Sequence, residues 1–274
     1  MDSLLARQDL GEQAAPALAL AIDWLKAHKA APEAQFVFHP LLARKDLGEQ
    51  AASALALAID WLKAHQEAPE ARFVFNPLLA RQDLGEHETA VMALAINWLE
   101  IFKKDIKALF VLDRLLERGD LDGYEMKVND IAIAWLEAFP GYTKAYEVFG
   151  CLLSRIQLDA QGQRLVLAAL AWLKKKSGKL KTKVVLTKLL WLSMLSDSDW
   201  ITVANSALLV LRKHKNIDHR DLIFALLLTR PGLLGKSNSD WLMARVEYRL
   251  WDPPLSSPDS ARLHEALARL KGAT

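Results

Sequence analysis

The segment LLARQDLGE begins at Leu4, LLARKDLGE at Leu41 and LLARQDLGE again at Leu78, so the chain returns to the same residues every 37 positions. The phase outlives the identity. Leu115-Leu116-Glu117-Arg118, Leu152-Leu153-Ser154-Arg155 and Leu189-Leu190 keep it, and Leu227-Leu228-Thr229-Arg230 follows after 38. Two further columns run in register: Trp24, Trp61, Trp98, Trp135 and Trp172, and Leu10, Leu47, Leu84, Leu121, Leu158 and Leu195. A fixed period of this size implies small supersecondary units that cannot bury their apolar faces alone and do so by stacking.

One unit resolves into two helices. Residues 50–65, QAASALALAIDWLKAH, hold no Gly or Pro and are rich in Ala and Leu, the strongest helix formers. Leu55, Ala58, Ile59 and Leu62 form one apolar stripe and Ala54, Leu57 and Trp61 another, as expected of a helix packed on two sides. Small Ala54, Ala56 and Ala58 allow close approach, with Trp61 and Phe73 filling the gaps between layers. After a short turn, Pro69 suits the first position of a second helix, where its missing N–H is not needed. That helix is expected to carry Phe73, Val74, Leu78 and Leu79 inward and to end near Gly85, in the left-handed conformation that closes helices. Pro40 and Pro77 fall inside it, predicting a bend there or a fresh turn capped by His39 or Asn76.

Residues 4–40 and 41–77 differ at 6 of 37 positions: Gln8/Lys45, Pro16/Ser53, Lys29/Gln66, Ala30/Glu67, Gln35/Arg72 and His39/Asn76. Such identity means recent duplication or a consensus-built array. Leu4 reads as the last turn of a second helix whose beginning lies upstream, which marks the chain as a piece of a longer array with an open apolar end able to self-associate. At the other end, residues 257–270 place Leu263, Ala266, Leu267 and Leu270 on one face and read as a capping helix. The expected organisation is 1–233 tandem repeats and 234–274 a degenerate last unit with its cap.

The composition narrows the chemistry. A single Cys151 offers no disulfide or thiolate cluster and reads as a buried thiol. The N-terminus lacks a signal-peptide pattern and no apolar stretch reaches membrane-spanning length, so a cytoplasmic location is expected. No Gly-rich phosphate loop, paired Cys-x-x-Cys or nucleophile motif occurs, and no catalytic residue, metal site or cofactor is expected. His28 and His65 end first helices, where they interact favourably with the helix dipole, and Phe102 replaces them one unit on. Asp9, Asp46, Asp83 and Asp120 recur with Arg7, Arg44, Arg81 and Arg118 two residues earlier. Identical carboxylates repeated along a chain do not converge on one reaction, so they read as turn caps beside a surface arginine ladder. The net charge of +2 hides an asymmetry: residues 1–137 carry 14 basic and 22 acidic side chains (−8), leaving 21 and 11 (+10) for residues 138–274.

Two columns vary where the scaffold repeats. Gln35, Arg72, Leu109, Tyr146 and Lys183 form one; His39, Asn76, Asp113, Gly150 and Thr187, four residues later and so on the same helix face, form the other. Variable polar residues on an aligned face are what a ligand-reading groove requires, making Gln35, His39, Arg72, Asn76, Asp113, Tyr146 and Lys183 the candidate contacts. A second candidate is the basic patch Lys174, Lys175, Lys176, Lys179, Lys181 and Lys183, suited to phosphates or an acidic partner but with no aromatic residue interleaved. The column Trp24, Trp61, Trp98, Trp135 and Trp172 reads as structural wedges between units.

The two-helix unit, with Trp61-Leu62 late in its first helix, resembles tetratricopeptide-like αα-superhelices, whose unit is close to 34 residues. The family's usual Trp-Leu-Gly-Tyr arrangement is absent. The WLKAH, FVF and LLARKDL segments are also similar to the C-terminal repeat regions of bacterial STAND/NACHT-type NTPases and their TIR-linked relatives, with no NTPase in this sequence. This resemblance implies a ligand-sensing or oligomerisation region of a larger bacterial signalling or defence protein. A second resemblance, to organellar helical-repeat RNA binders, implies base reading by paired side chains on successive units. The expectation is an all-α, right-handed αα-superhelical solenoid of about seven units, acting as a non-enzymatic protein- or peptide-binding scaffold through the concave surface made by one set of helices. The alternatives are a sequence-reading RNA binder and a purely structural or engineered array.

Overall fold

A computed structural model describes Leu5, Arg7 and residues 11–121, 123–155, 159–176, 178–192, 195–214, 220–251 and 258–272. Leu4, Gln8, Asp9, Leu10, Leu158 and Ser257, the first residue of the expected capping segment, lie outside the described residues. Among those described, the chain is all-helical and contains no strand. It divides into two compact units, Met1–Ala138 and Phe139–Thr274. The division falls where the charge changes sign, so the first unit is the acidic one and the second the basic one.

The first unit holds α1 (Ala14–Ala27), α2 (Gln35–Leu42), α3 (Ala51–Ala64), α4 (Arg72–Leu79), α5 (Glu88–Phe102), α6 (Leu109–Glu117) and α7 (Glu125–Ala138). The long helices α1, α3, α5 and α7 pack side by side in chain order, and the short helices α2, α4 and α6 do the same, forming two layers. The second unit holds α8 (Ala145–Arg155), α9 (Ala160–Lys176), α10 (Lys183–Trp191), α11 (Asp197–Lys213), α12 (Arg220–Leu227), α13 (Lys236–Trp251) and α14 (Pro258–Gly272). There α9 packs on α11, α8 on α10, and α10 on α12. Helix α14 lies against α12 with Leu263 and Leu267 buried.

Helix α3 forms where its composition demands and buries Ala54, Leu55, Ala58, Ile59, Trp61 and Leu62, so one apolar stripe is covered throughout and the other at Ala54 and Trp61, with Leu57 half-buried. Ala56 falls between the stripes and is exposed, so it takes no part in the close packing expected of it. Pro69 opens a 3₁₀ turn that leads into α4, with Ala68 before it held extended at φ −92°, ψ 125°, as the residue preceding a proline prefers. Two boundaries differ from expectation. Helix α4 ends at Leu79, not near Gly85, and Gly85, at φ +54°, starts the 3₁₀ turn that opens α5. The left-handed glycine therefore begins the next helix instead of closing the last. Helices α2 and α4 also run through Pro40 and Pro77 to Leu42 and Leu79, so no fresh turn capped by His39 or Asn76 begins there.

Hydrogen bonds with fixed spacing join successive segments. The indole N–H of Trp61 donates to Ala31 O at 2.9 Å, that of Trp98 to Ala68 O at 2.9 Å, and that of Trp135 to Asp105 O at 3.1 Å. In the second unit Trp172 donates to Tyr142 O at 2.8 Å. All four indoles are no more than 1% exposed, whereas Trp24 is half-buried. Each ring fills space between layers and its one polar atom reaches the turn between the two preceding helices, which satisfies the indole without water.

At Arg44 and Arg81 the arginine ladder is internal, where a surface ladder was expected, while Arg7 is exposed. Arg44 and Arg81 are 3% and 9% exposed. Arg81 grips Asp83 with two bonds, Nε to Oδ1 at 2.8 Å and Nη2 to Oδ2 at 2.6 Å, while Nη1 donates to Leu42 O at 2.9 Å and Arg44 O at 2.8 Å. Arg44 repeats the pattern with Asp46 and the carbonyls of Leu5 and Arg7, and Arg118 reaches Leu79 O and Arg81 O. A guanidinium has enough donors, in a rigid fork, to neutralise one carboxylate and cap two carbonyls at a helix end at once. The side-chain bonds from Arg44 and Arg81 hold the carboxyls of Asp46 and Asp83 below the usual carboxylate range.

Candidate binding groove

The sequence Phe-Val-Phe in α2 and α4 places two aromatic rings two residues apart, about 200° around a helix, so both cannot face the same core. Phe38 and Phe75 turn inward, 1% and 0% exposed, against Trp61 and Trp98 with ring centroids 6.0 Å apart in each pair. Phe36 and Phe73 turn outward, and Phe110 on α6 follows them; these three are 57%, 39% and 52% exposed. Phe73 is thus a surface residue, not the interlayer filler that the sequence suggested, and Phe75 takes that place.

The three exposed rings stand 37 residues apart on consecutive short helices and line a groove of about 290 Å³ with Gln35, His39, Arg72 and Asn76. Four of the seven candidate contacts therefore meet in one place. Each has a defined setting. The Arg72 guanidinium lies 4.2 Å from the centroid of the Phe73 ring, and its Nη1 donates to Pro69 O at 2.7 Å. His39 Nδ1 donates to Phe73 O at 2.9 Å and its ring meets that of Phe73 edge-on, centroids 6.4 Å apart. Asn76 Oδ1 accepts from Arg114 Nε at 2.9 Å. Gln35 is 6% exposed, and its Oε1 has no hydrogen-bond partner. His39 and Asn76 also border a neighbouring cavity of about 770 Å³, reached by Arg44, Lys45 and Arg81 just past the C-terminal ends of α2 and α4 and by Arg114 of α6.

No family model, curated protein or solved structure matches the chain.

The remaining candidates stand elsewhere. Asp113 is half-buried on α6 and does not line the groove, and Leu109, in the Gln35 column, is part of the core. Tyr146 and Lys183 belong to the second unit. The Tyr146 hydroxyl donates to Glu147 Oε1 at 2.7 Å, and Lys181 Nζ lies 5.0 Å from the centroid of the Tyr146 ring. The fold thus brings an aromatic ring to a basic patch that has none in sequence. Lys183 begins α10 and lines a shallow cavity of about 300 Å³ with Thr187, Trp191 and Leu222. Lys174, Lys175 and Lys176 form the last turn of α9, where positive charge complements the helix dipole, and exposed Lys179 follows in the turn before α10.

Of the other residues weighed for chemistry, His28 and His65 each bond the carbonyl four residues back, Trp24 O and Trp61 O, at 2.9 Å and stack on those indoles with centroids 4.2 and 4.1 Å apart. Cys151 is partly exposed, not buried, because α8 turns that position toward the edge of its packed face. Among the described residues no group of three or more His, Cys, Asp or Glu side chains is placed to share a metal ion, and no helix is long and apolar enough to cross a membrane. Sequence reasoning missed the exposed phenylalanines. The signal was present in the Phe-Val-Phe spacing, which cannot bury both rings of one helix on one face.

Proposed function

We propose that the chain is a non-enzymatic peptide- or protein-binding scaffold, a right-handed αα-solenoid of about seven stacked units, and that the groove across α2, α4 and α6 receives the partner. The observation that carries this reading is the row Phe36, Phe73 and Phe110, three large apolar rings held in solvent at corresponding positions. A contiguous exposed apolar patch rimmed by polar residues marks an interaction surface, and aromatic rings bring large contact area at low entropy cost. Variation supports it: two of the six differences between residues 4–40 and 41–77, Gln35/Arg72 and His39/Asn76, fall on this groove. The resemblance to STAND/NACHT-type repeat regions makes the scaffold the sensing or oligomerisation part of a larger bacterial protein, working in the cytoplasm.

The test is a pull-down from native lysate with the chain and with a Phe36→Ser, Phe73→Ser, Phe110→Ser variant, each with and without nuclease. A proteinaceous partner retained after nuclease and lost in the variant supports the reading. A partner released by nuclease, with affinity falling steeply as salt rises, belongs instead to the RNA-binding alternative, for which Lys181 beside Tyr146 in the second unit is the specific observation.

A further inference from the structure

Arg72 differs from the other arginines around it. Arg44 pairs with Asp46, Arg81 with Asp83, Arg114 with Glu117 and Arg118 with Glu88, whereas among the described residues no carboxylate lies within ion-pair distance of Arg72. Its surroundings are unusual for this unit, which carries a net −8: the groove lining contains Arg72 and His39 and no Asp or Glu at all. The guanidinium is nevertheless held in place. Stacking on the Phe73 ring and the bond to Pro69 O fix its plane, leaving further N–H groups for an incoming acceptor. A flat, preorganised, unpaired guanidinium at the edge of an apolar row is matched by a carboxylate, which it binds through two parallel N–H···O bonds.

Resting on the scaffold reading above, we propose that the occupant of this groove is a peptide segment with one carboxylate side chain between apolar or aromatic ones. The apolar side chains lie on Phe36, Phe73 and Phe110, and the carboxylate sits on Arg72. The field of the unit restricts the rest of the segment. A net −8 repels a polyanion, so the flanks of the peptide are neutral or basic, and one arginine in a carboxylate-free groove is no track for an RNA backbone.

A random peptide display library panned against the full chain and against its Arg72→Gln variant tests this. Glutamine is the residue at the corresponding position 35, so the variant preserves the fold, which circular dichroism checks. The expected result is selection by the full chain of sequences with a single Asp or Glu among apolar residues, loss of that acidic preference in the variant, and a fall of about five- to tenfold in affinity of a selected peptide for the variant. Selected sequences that are apolar but free of acid, and bind the variant equally well, overturn the carboxylate assignment while leaving the groove as a binding surface. Selected peptides that bind the Phe73→Ser variant as well as the full chain, or an oligouridine probe that displaces them, overturn both.

Discussion

His39 Nδ1 donates to the carbonyl of Phe73 at 2.9 Å, and that carbonyl is the one Pro77 leaves without its intrahelical partner. In an unbroken helix the amide four residues on would bond Phe73 O; proline has no N–H, and the neighbouring helix α2 supplies the donor. The same contact sets the His39 ring against Phe73 at the groove. Replacing His39 by Ala should lower stability by about 0.5–1.5 kcal/mol, the worth of one such bond. In a Pro77→Ala background the helix regains its own donor, and the cost of the His39 substitution should fall toward zero. A double-mutant cycle on thermal or denaturant unfolding measures the coupling.

The arginine clamps make a second prediction. Arg81→Ala leaves the carbonyls of Leu42 and Arg44 without the donor they have now, at about 1–3 kcal/mol for each buried group left unsatisfied. Arg81→Lys should recover little, because an ammonium cannot hold two carboxylate oxygens and two carbonyls in one plane. Chemical denaturation of the three proteins separates the outcomes.

Acid sensitivity follows from the same clamps. Asp46 and Asp83 have carboxyls lowered by their arginine bonds. A lowered folded-state value means that this stabilisation is complete above the ordinary carboxylate pKa of about 3.9 and is lost as pH falls through the lower folded-state values. The Asp46→Asn, Asp83→Asn chain should therefore be less stable at pH 7 and show a flatter dependence of melting temperature on pH below about 4. A melting-temperature series from pH 2 to 7 checks it.

The tryptophans should differ along the chain. Trp98→Ala removes a ring 1% exposed and its bond to Ala68, and should cost about 3–5 kcal/mol. Trp24, half-buried and stacked on His28, should cost clearly less on the same substitution. Equal losses at both positions would mean that the ring is not held chiefly by the segment preceding it.

How far the sequence could be read depended on which forces were local. The helices and their apolar stripes were legible because Ala54, Leu55, Ala58, Ile59 and Leu62 obey a helical period and the intervening residues have high helix propensity. The helix ends were less so: Gly85 has the left-handed conformation its identity implies, but a glycine cannot say whether it closes one helix or opens the next. The burial of Arg44 and Arg81 was hidden, since a charged residue reads as exposed until the carbonyls it caps, 37 and 39 residues away, are placed beside it. In the groove, the variable columns pointed to Gln35, Arg72, His39 and Asn76 but passed over Phe36 and Phe110, and the apolar character of Phe73 had assigned that ring to the core.

The central claim is that the exposed phenylalanine row serves binding and not folding. The direct test measures melting temperature and peptide affinity on the same sample of the Phe36→Ser, Phe73→Ser, Phe110→Ser chain, using a peptide selected on the unaltered protein. Substitutions at exposed positions typically change stability by no more than about 0.5 kcal/mol each, so the midpoint should move by only a few degrees while affinity falls at least about tenfold. Undiminished affinity, or a chain that no longer folds, would contradict the account.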